Sequence, residues 1–184
     1  LQRRKRADIT MRCLILAAGY GSRLGELTKN SPKPTIEING RSIIDHIVSK
    51  LHTHGITEII VNLHYLQDMM TNHLQDNVLY FYEPRLLGHK GTILALRKWF
   101  ENEDFFVING DTLSTLNYTS VIKAHRKDTI TVCMDEYRAM GTWIYSPAYF
   151  QNQDIPIHPY RDTTVKWWDL GTPERLEEAR KYYE

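Results

Sequence analysis

Cys13-Leu14-Ile15-Leu16-Ala17-Ala18-Gly19-Tyr20-Gly21-Ser22-Arg23-Leu24 is an apolar run that empties into a glycine loop, and the loop's exit is framed as Pro32-Lys33-Pro34. The run over 13–16 is short, wholly apolar and bounded by small residues, which suits a strand buried on both faces of a parallel sheet. A loop leaving such a strand opens at the carboxyl edge of the sheet, where open α/β folds bind ligands. Gly19 and Gly21 carry no Cβ, so their amides can turn inward and approach a polyanion, and successive N–H groups form an anion-binding nest. Arg23 adds a permanent forked cation. Lys33 adds a compact charge between two prolines whose φ angles are locked. A nest with two cations suits a triphosphate better than a single phosphate. The pattern is not the nucleotide loop that ends in Gly-Lys-Ser/Thr, and Leu24 stands where Gly-x-Gly-x-x-Gly needs its last glycine. A bare Gly-Tyr-Gly would read as a plain strand-to-helix turn. Arg23 and Pro32-Lys33-Pro34 carry the phosphate reading.

Outward from the loop, helix and strand patterns alternate in the way that builds a parallel sheet covered by helices. Residues 42–54 place Ile43, Ile44, Ile47, Val48 and Leu51 on one helical stripe, stopped by Gly55. Strands are predicted at 58–63, 78–82, 105–108, 129–134, 141–145 and 165–168. Helices are predicted at 66–74, 90–101, 118–126 and from Pro173 onward. Residues 151–161, with Pro156 and Pro159, read as an irregular loop. Each candidate site follows a strand, at the same edge of the sheet.

The loop resembles the signature of the sugar-phosphate nucleotidyltransferases, Leu-Ala-Ala-Gly-x-Gly-x-Arg-Leu, then Thr, then Pro-Lys-Pro, all of which stands between Leu16 and Pro34. Three later pieces are similar to that family in the same order. Glu83-Pro84 with Leu87-Gly88-His89-Lys90-Gly91-Thr92 resembles its base-reading segment, Asn109-Gly110-Asp111 its strand-end metal aspartate, and Trp168-Asp169-Leu170-Gly171-Thr172-Pro173-Glu174 its Asp-Ile-Gly-Thr-Pro-Glu segment. Within the family, the likeness is to the short, single-domain members that act on mannose- or heptose-type phosphates with GTP. The resemblance implies one Rossmann-like (GT-A-like) α/β domain over residues 11–184, with a mostly parallel central sheet and helices on both faces. It implies transfer of a nucleoside monophosphate from a nucleoside triphosphate to a sugar 1-phosphate, with release of pyrophosphate.

Under that resemblance Leu16, Ala17, Ala18, Gly19, Gly21, Ser22, Glu83, Gly88 and Asn109 are expected to bind the nucleotide. Two polyanions must meet before a phosphate oxygen can reach an α-phosphorus, so a divalent metal is expected. Mg²⁺ prefers hard oxygens and is usually held by one or two carboxylates plus phosphates. Asp111 and Asp169 supply that pair, although each alone could be an ordinary turn or cap residue. Arg23 and Lys33 are expected to act in catalysis, on the departing pyrophosphate and in orienting the phosphates. Glu83 only accepts hydrogen bonds and guanine offers two adjacent donors, which favours GTP; a surface pairing with Arg85 or Lys90 is the alternative. The family's Glu-Lys-Pro is missing, since Met134-Asp135-Glu136-Tyr137-Arg138 runs directly into Ala139-Met140-Gly141. Gly141 and Lys166 are the expected acceptor residues, with Trp143 and Tyr145 either stacking on the sugar or belonging to the core.

Composition sets outer limits. The 184 residues suffice for one domain with a core, and 23 Lys and Arg against 22 Asp and Glu leave no global field that would call for nucleic acid or an anionic membrane. The expected partners are therefore small molecules, with a homo-oligomer left open. Cys13 and Cys133 both fall in predicted strands and read as buried thiols of a reducing compartment, so a cytoplasmic location is expected. Residues 1–10, with Arg3-Arg4-Lys5-Arg6, read as a basic leader or the tail of an upstream domain. A cytidylyltransferase acting on phosphocholine or another small phosphate, and a non-catalytic nucleotide-binding relative, are the rival readings.

Overall fold

The computed structural model describes residues 11–183, so the basic run at 3–6 lies outside the described residues. The strands are β1 (Arg12–Leu16), β2 (Glu37–Ile38), β3 (Arg41–Ser42), β4 (Ile59–Leu63), β5 (Leu79–Tyr82), β6 (Phe105–Asn109), β7 (Thr112–Ser114), β8 (Ile130–Met134), β9 (Ala139–Tyr145), β10 (Ile157–Arg161) and β11 (Trp167–Asp169). The helices are α1 (Glu26–Lys29), α2 (Ile43–Thr53), α3 (Gln67–Leu74), α4 (Gly88–Ala95), α5 (Arg97–Phe100), α6 (Tyr118–Ala124) and α7 (Pro173–Tyr183).

Seven strands form one central sheet in the order β10-β8-β9-β6-β1-β4-β5. β1 lies between β4 and β6, parallel to both, which is why its residues 13–15 are apolar without alternation and fully buried. β9 alone runs antiparallel to its neighbours β6 and β8. In this register Leu16, the last residue of β1, stands level with Asn62 on one side and Asn109 on the other. Three strand ends thus present their following loops together at the carboxyl edge.

Helices cover both faces, as expected. One face is packed by the apolar sides of α2, α3, α6 and α7 against Cys13, Ile15, Val61, Phe106 and Ile144. The other is closed by Ile93, Leu96 and Phe100 against Leu14, Phe105 and Val107. α2 shows how the sequence enforces this. Ser42 caps its N-terminus by accepting from the Asp45 amide, the stripe from Ile43 to Leu51 is buried, and Gly55 turns the chain away at a φ of 80°.

Three expectations are corrected. Residues 151–161 are not wholly irregular, because β10 pairs in parallel with β8 as an edge strand, a position where Pro159 costs no interior ladder. The helix expected over 90–101 starts earlier, at Gly88, and breaks at Leu96 into α4 and α5, a change of register that buries both Leu96 and Phe100. The strand expected at 165–168 is β11, which leaves the central sheet and pairs antiparallel with β7, putting Asp169 opposite Thr112. Asp169 is therefore carried on a small separate ribbon and not on the parallel edge itself.

Candidate active site

The glycine loop folds back through its own side chains. Gly21 takes a φ of 67°, and a Cβ there would lie 3.0 Å from both Lys33 Cβ and Thr28 Cγ2, so backbone and space both require glycine. The Thr28 hydroxyl donates to the Gly21 carbonyl at 3.0 Å. This brings the Pro32-Lys33-Pro34 exit against the loop's start. The Lys33 ammonium, whose side chain is 7% exposed, then reaches Asp111 Oδ2 at 2.5 Å.

Asp111 is set by its neighbours. The Gly110 amide donates to the Leu16 carbonyl at 2.8 Å, and a Cβ on Gly110 would stand 3.0 Å from that oxygen, so the turn after β6 is pressed against the end of β1. The Leu170 amide donates to the Asp111 carbonyl at 2.9 Å, which ties Asp111 to the segment following Asp169. Asp169 Oδ1 is buried and has no hydrogen-bond partner. Buried carboxylate oxygens are normally satisfied, so this atom keeps acceptor capacity of the kind a hard cation uses. Across the mouth, the Arg23 guanidinium lies over Gly171, with its atoms 2.8–3.0 Å from where a Cβ would be.

Arg23, Lys33, Asp111 and the loop glycines line a cleft of about 230 Å³, and Asp169 is not in its wall, which it approaches only through Gly171 two residues on. Of the expected residues, Leu16, Ala17, Gly19, Gly21, Ser22, Arg23, Lys33 and Asp111 are in its wall; Pro34, Gly110 and Gly171 complete it. Ala18 is buried behind the loop, and Asn109 stands beside Leu16 in the register.

Other expected residues are placed elsewhere. Glu83 is 3% exposed, and its carboxylate is already taken: Oε1 accepts from Asn62 Nδ2 at 2.9 Å and from the Thr92 hydroxyl, and Oε2 accepts from the Leu87 amide at 2.9 Å. It is neither free for two guanine donors nor paired with Arg85 or Lys90. It anchors the turn that leads into Gly88 and α4. Gly141 is buried at a φ of 68°, and the space a Cβ would need is filled by Thr112 Oγ1 at 2.9 Å and Asn109 Nδ2 at 3.0 Å. Lys166 is exposed and holds its ammonium 4.9 Å from the Tyr182 ring centroid on α7, away from the cleft wall. Trp143 meets His89 edge-on at 4.6 Å, and the Tyr145 hydroxyl is 3.1 Å from His89 Nε2. Burial holds the His89 imidazole below its usual pKa, hence neutral near pH 7.

One contributor was not expected. Asn62 is 4% exposed; its Oδ1 accepts from the Ala17 amide at 2.6 Å while its Nδ2 donates to Glu83, so a single amide couples the phosphate loop to the turn before α4. The signal was in the sequence: Ile59-Ile60-Val61-Asn62-Leu63 is an apolar strand with one amide in it.

A glycine loop at a parallel strand end, with Arg23, Lys33 and Asp111 in the wall of one cleft, has the chemistry of a phosphate-handling α/β domain. The family profile described as Nucleotidyl transferase matches residues 12–142, and the chain belongs to that family. A mannose-1-phosphate guanyltransferase of Aspergillus oryzae is 30% identical over 153 residues, which cover 76% of this chain and 42% of the relative. Mannose-1-phosphate guanyltransferase beta-A of Xenopus laevis is 29% identical over 163 residues, covering 81% and 45%. The chain thus spans less than half the length of these curated relatives. Among solved structures, HddC from Yersinia pseudotuberculosis complexed with GMP-PN superimposes with a TM-score of 0.82 at 22% identity, covering 95% of this chain and 100% of that one.

Proposed function

We propose that this chain transfers a nucleoside monophosphate, with GTP as the favoured donor, to a sugar 1-phosphate, releasing pyrophosphate. The observation that carries this reading is the cleft itself, which Arg23, Lys33, Asp111 and the loop glycines line together, with the unpartnered Asp169 Oδ1 two residues before Gly171 of its wall. The guanine preference draws its support from the relatives named as guanyltransferases, since Glu83 has no free oxygen for the base.

In the reaction an oxygen of the sugar phosphate attacks the α-phosphorus, the bond from that phosphorus to the β-bridging oxygen breaks, and pyrophosphate carries the electron pair away. The incoming phosphate is already ionised at neutral pH, so no protein nucleophile is needed. The loop amides and Arg23 hold charge that develops on the departing pyrophosphate. Lys33 orients the phosphates from its anchored position and loses little entropy in doing so, because its side chain is packed before substrate arrives. Asp111 and Asp169 would hold Mg²⁺, which when bound neutralises charge between the two phosphate groups. The chain has no Glu-Lys-Pro lysine, and Gly141 is packed against Thr112 and Asn109, so the charge on the sugar phosphate falls to the cleft cations.

A matrix of GTP, UTP, CTP and ATP against mannose, glucose and heptose 1-phosphates and phosphocholine, read as Mg²⁺-dependent pyrophosphate release, tests this. Release is expected with GTP and a sugar 1-phosphate. Release only with CTP and phosphocholine would overturn the substrate assignment, and none with any pair would overturn the catalytic one.

A further inference from the structure

A second cleft of about 220 Å³ lies between α2 and β7 and is lined by Arg41, His46, Ser49, Lys50, Thr53 and Tyr118 among others. Its chemistry is one-sided. Beside the apolar Ile47 and Leu113, its polar lining is basic and hydroxyl-bearing and holds no carboxylate. Lys50 is the telling residue: its ammonium donates to the Ser114 carbonyl and sits 4.7 Å from the Tyr118 ring centroid. Among the described residues neither Lys50 nor Arg41 has a carboxylate within ion-pair distance, although ten other pairs form. Arg41 is exposed, but Lys50 is partly buried, and a charge drawn out of water is normally paired because the desolvation cost is otherwise uncompensated. One carbonyl and one aromatic face offset part of that cost and leave the cleft with a net positive character. Burial accordingly lowers the Lys50 pKa to about 8, which still leaves the amine mostly protonated at neutral pH.

We propose that this second cleft binds a small phosphoryl anion, with Lys50 and Arg41 as its cations and the Ser49 hydroxyl as a further donor, the Thr53 hydroxyl being spent on the Lys50 carbonyl. Multiple donors around two cations suit a tetrahedral oxyanion, which accepts on every oxygen, better than a halide. Ser114, the carbonyl partner of Lys50, ends the same short strand that begins beside Asp111, so the cleft shares β7 with the active site. The proposal does not depend on the assigned reaction, because its readout is occupancy.

The test uses the full chain and inorganic phosphate as probe. Lysines are acylated with acetic anhydride at pH 8, with phosphate or with chloride at equal ionic strength, and each site is followed by peptide mass spectrometry. Phosphate at ten times its dissociation constant should slow acylation of Lys50 about ten-fold, since only the unliganded fraction reacts. Exposed Lys29 should be unaffected. In Lys33→Ala protein, where the active-site cleft is impaired, Lys50 should stay protected. Protection equal in chloride, none at all, or protection that vanishes with Lys33 would overturn the second site. Protection of Lys33 itself reports phosphate in the active-site cleft, so the two readings fail separately.

Discussion

Lys33 and Asp111 are 78 residues apart in the chain, and their side chains meet as an ion pair of 2.5 Å at the floor of the cleft. Lys33 is almost wholly withdrawn from water, while Asp111 keeps an open side toward the cleft. Removing one partner leaves the other charge uncompensated, whereas removing both replaces a desolvated pair with neutral groups. Asp111→Asn is therefore expected to cost about 3 kcal/mol of stability, and Lys33→Met a similar amount. The double variant should be more stable than the sum of the two losses, by at least about 1 kcal/mol in a urea-denaturation cycle. Additive losses would show that the pair carries no coupling. All three variants should lose pyrophosphate release.

Gly171 reports on Arg23. A Cβ at this position enters the space of the guanidinium, which is the free end of a long side chain and can swing away, while the backbone needs no positive φ there. Gly171→Ala is expected to leave the unfolding midpoint almost unchanged, within about 1 kcal/mol in stability. It should lower kcat about 100-fold, the loss typical of one misplaced charge-stabilising donor. A Gly171→Ala enzyme with normal kcat would remove Arg23 from the catalytic role.

What the sequence conveys and what it hides divide along chain separation. The glycine loop, the Pro32-Lys33-Pro34 frame and the aspartate of Asn109-Gly110-Asp111 are each local patterns whose chemistry can be read in place. Their meeting is not local, because it depends on the register of β1 with β6 and on the β7–β11 ribbon, whose strands are three residues long and carry no periodic signal. Glu83 shows the same limit. A carboxylate suits guanine, yet Asn62 and Thr92, distant in sequence, occupy it. β10 was hidden for another reason: Pro156 and Pro159 signal a loop, and only an edge position makes a proline-bearing strand acceptable.

Asn62 makes that coupling testable. Asn62→Leu keeps the volume and removes both polar ends, leaving the Ala17 amide without its acceptor and Glu83 with two of its three donors. A loss of about 2–4 kcal/mol is expected, as two buried groups each lose a partner. Asn62→Asp restores an acceptor for the Ala17 amide but sets a second carboxylate against Glu83, so it should not recover stability. Equal stability of wild type and Asn62→Leu would mean the amide is not a structural bridge.

The loop's tip has its own link to the same turn. The Tyr20 hydroxyl lies 3.2 Å from His64 Nε2, and His64 Nδ1 lies 2.8 Å from the Glu83 carbonyl oxygen. A carbonyl can only accept, so the Nδ1 atom of His64 carries the hydrogen; in the neutral ring Nε2 is then the acceptor and the tyrosine hydroxyl donates. Tyr20 is half exposed and flanked by Gly19 and Gly21, so this bond is what fixes the tip. Tyr20→Phe retains the ring and its edge contact with His64, and deletes only the hydroxyl. A net hydrogen bond of about 1 kcal/mol corresponds to roughly a five-fold weakening of triphosphate binding, expected as a rise in KM with kcat little changed. His64→Ala should raise KM further, because it also releases the Glu83 carbonyl, and adding Tyr20→Phe to it should change nothing more. Independent, multiplying effects of the two substitutions would sink the latch.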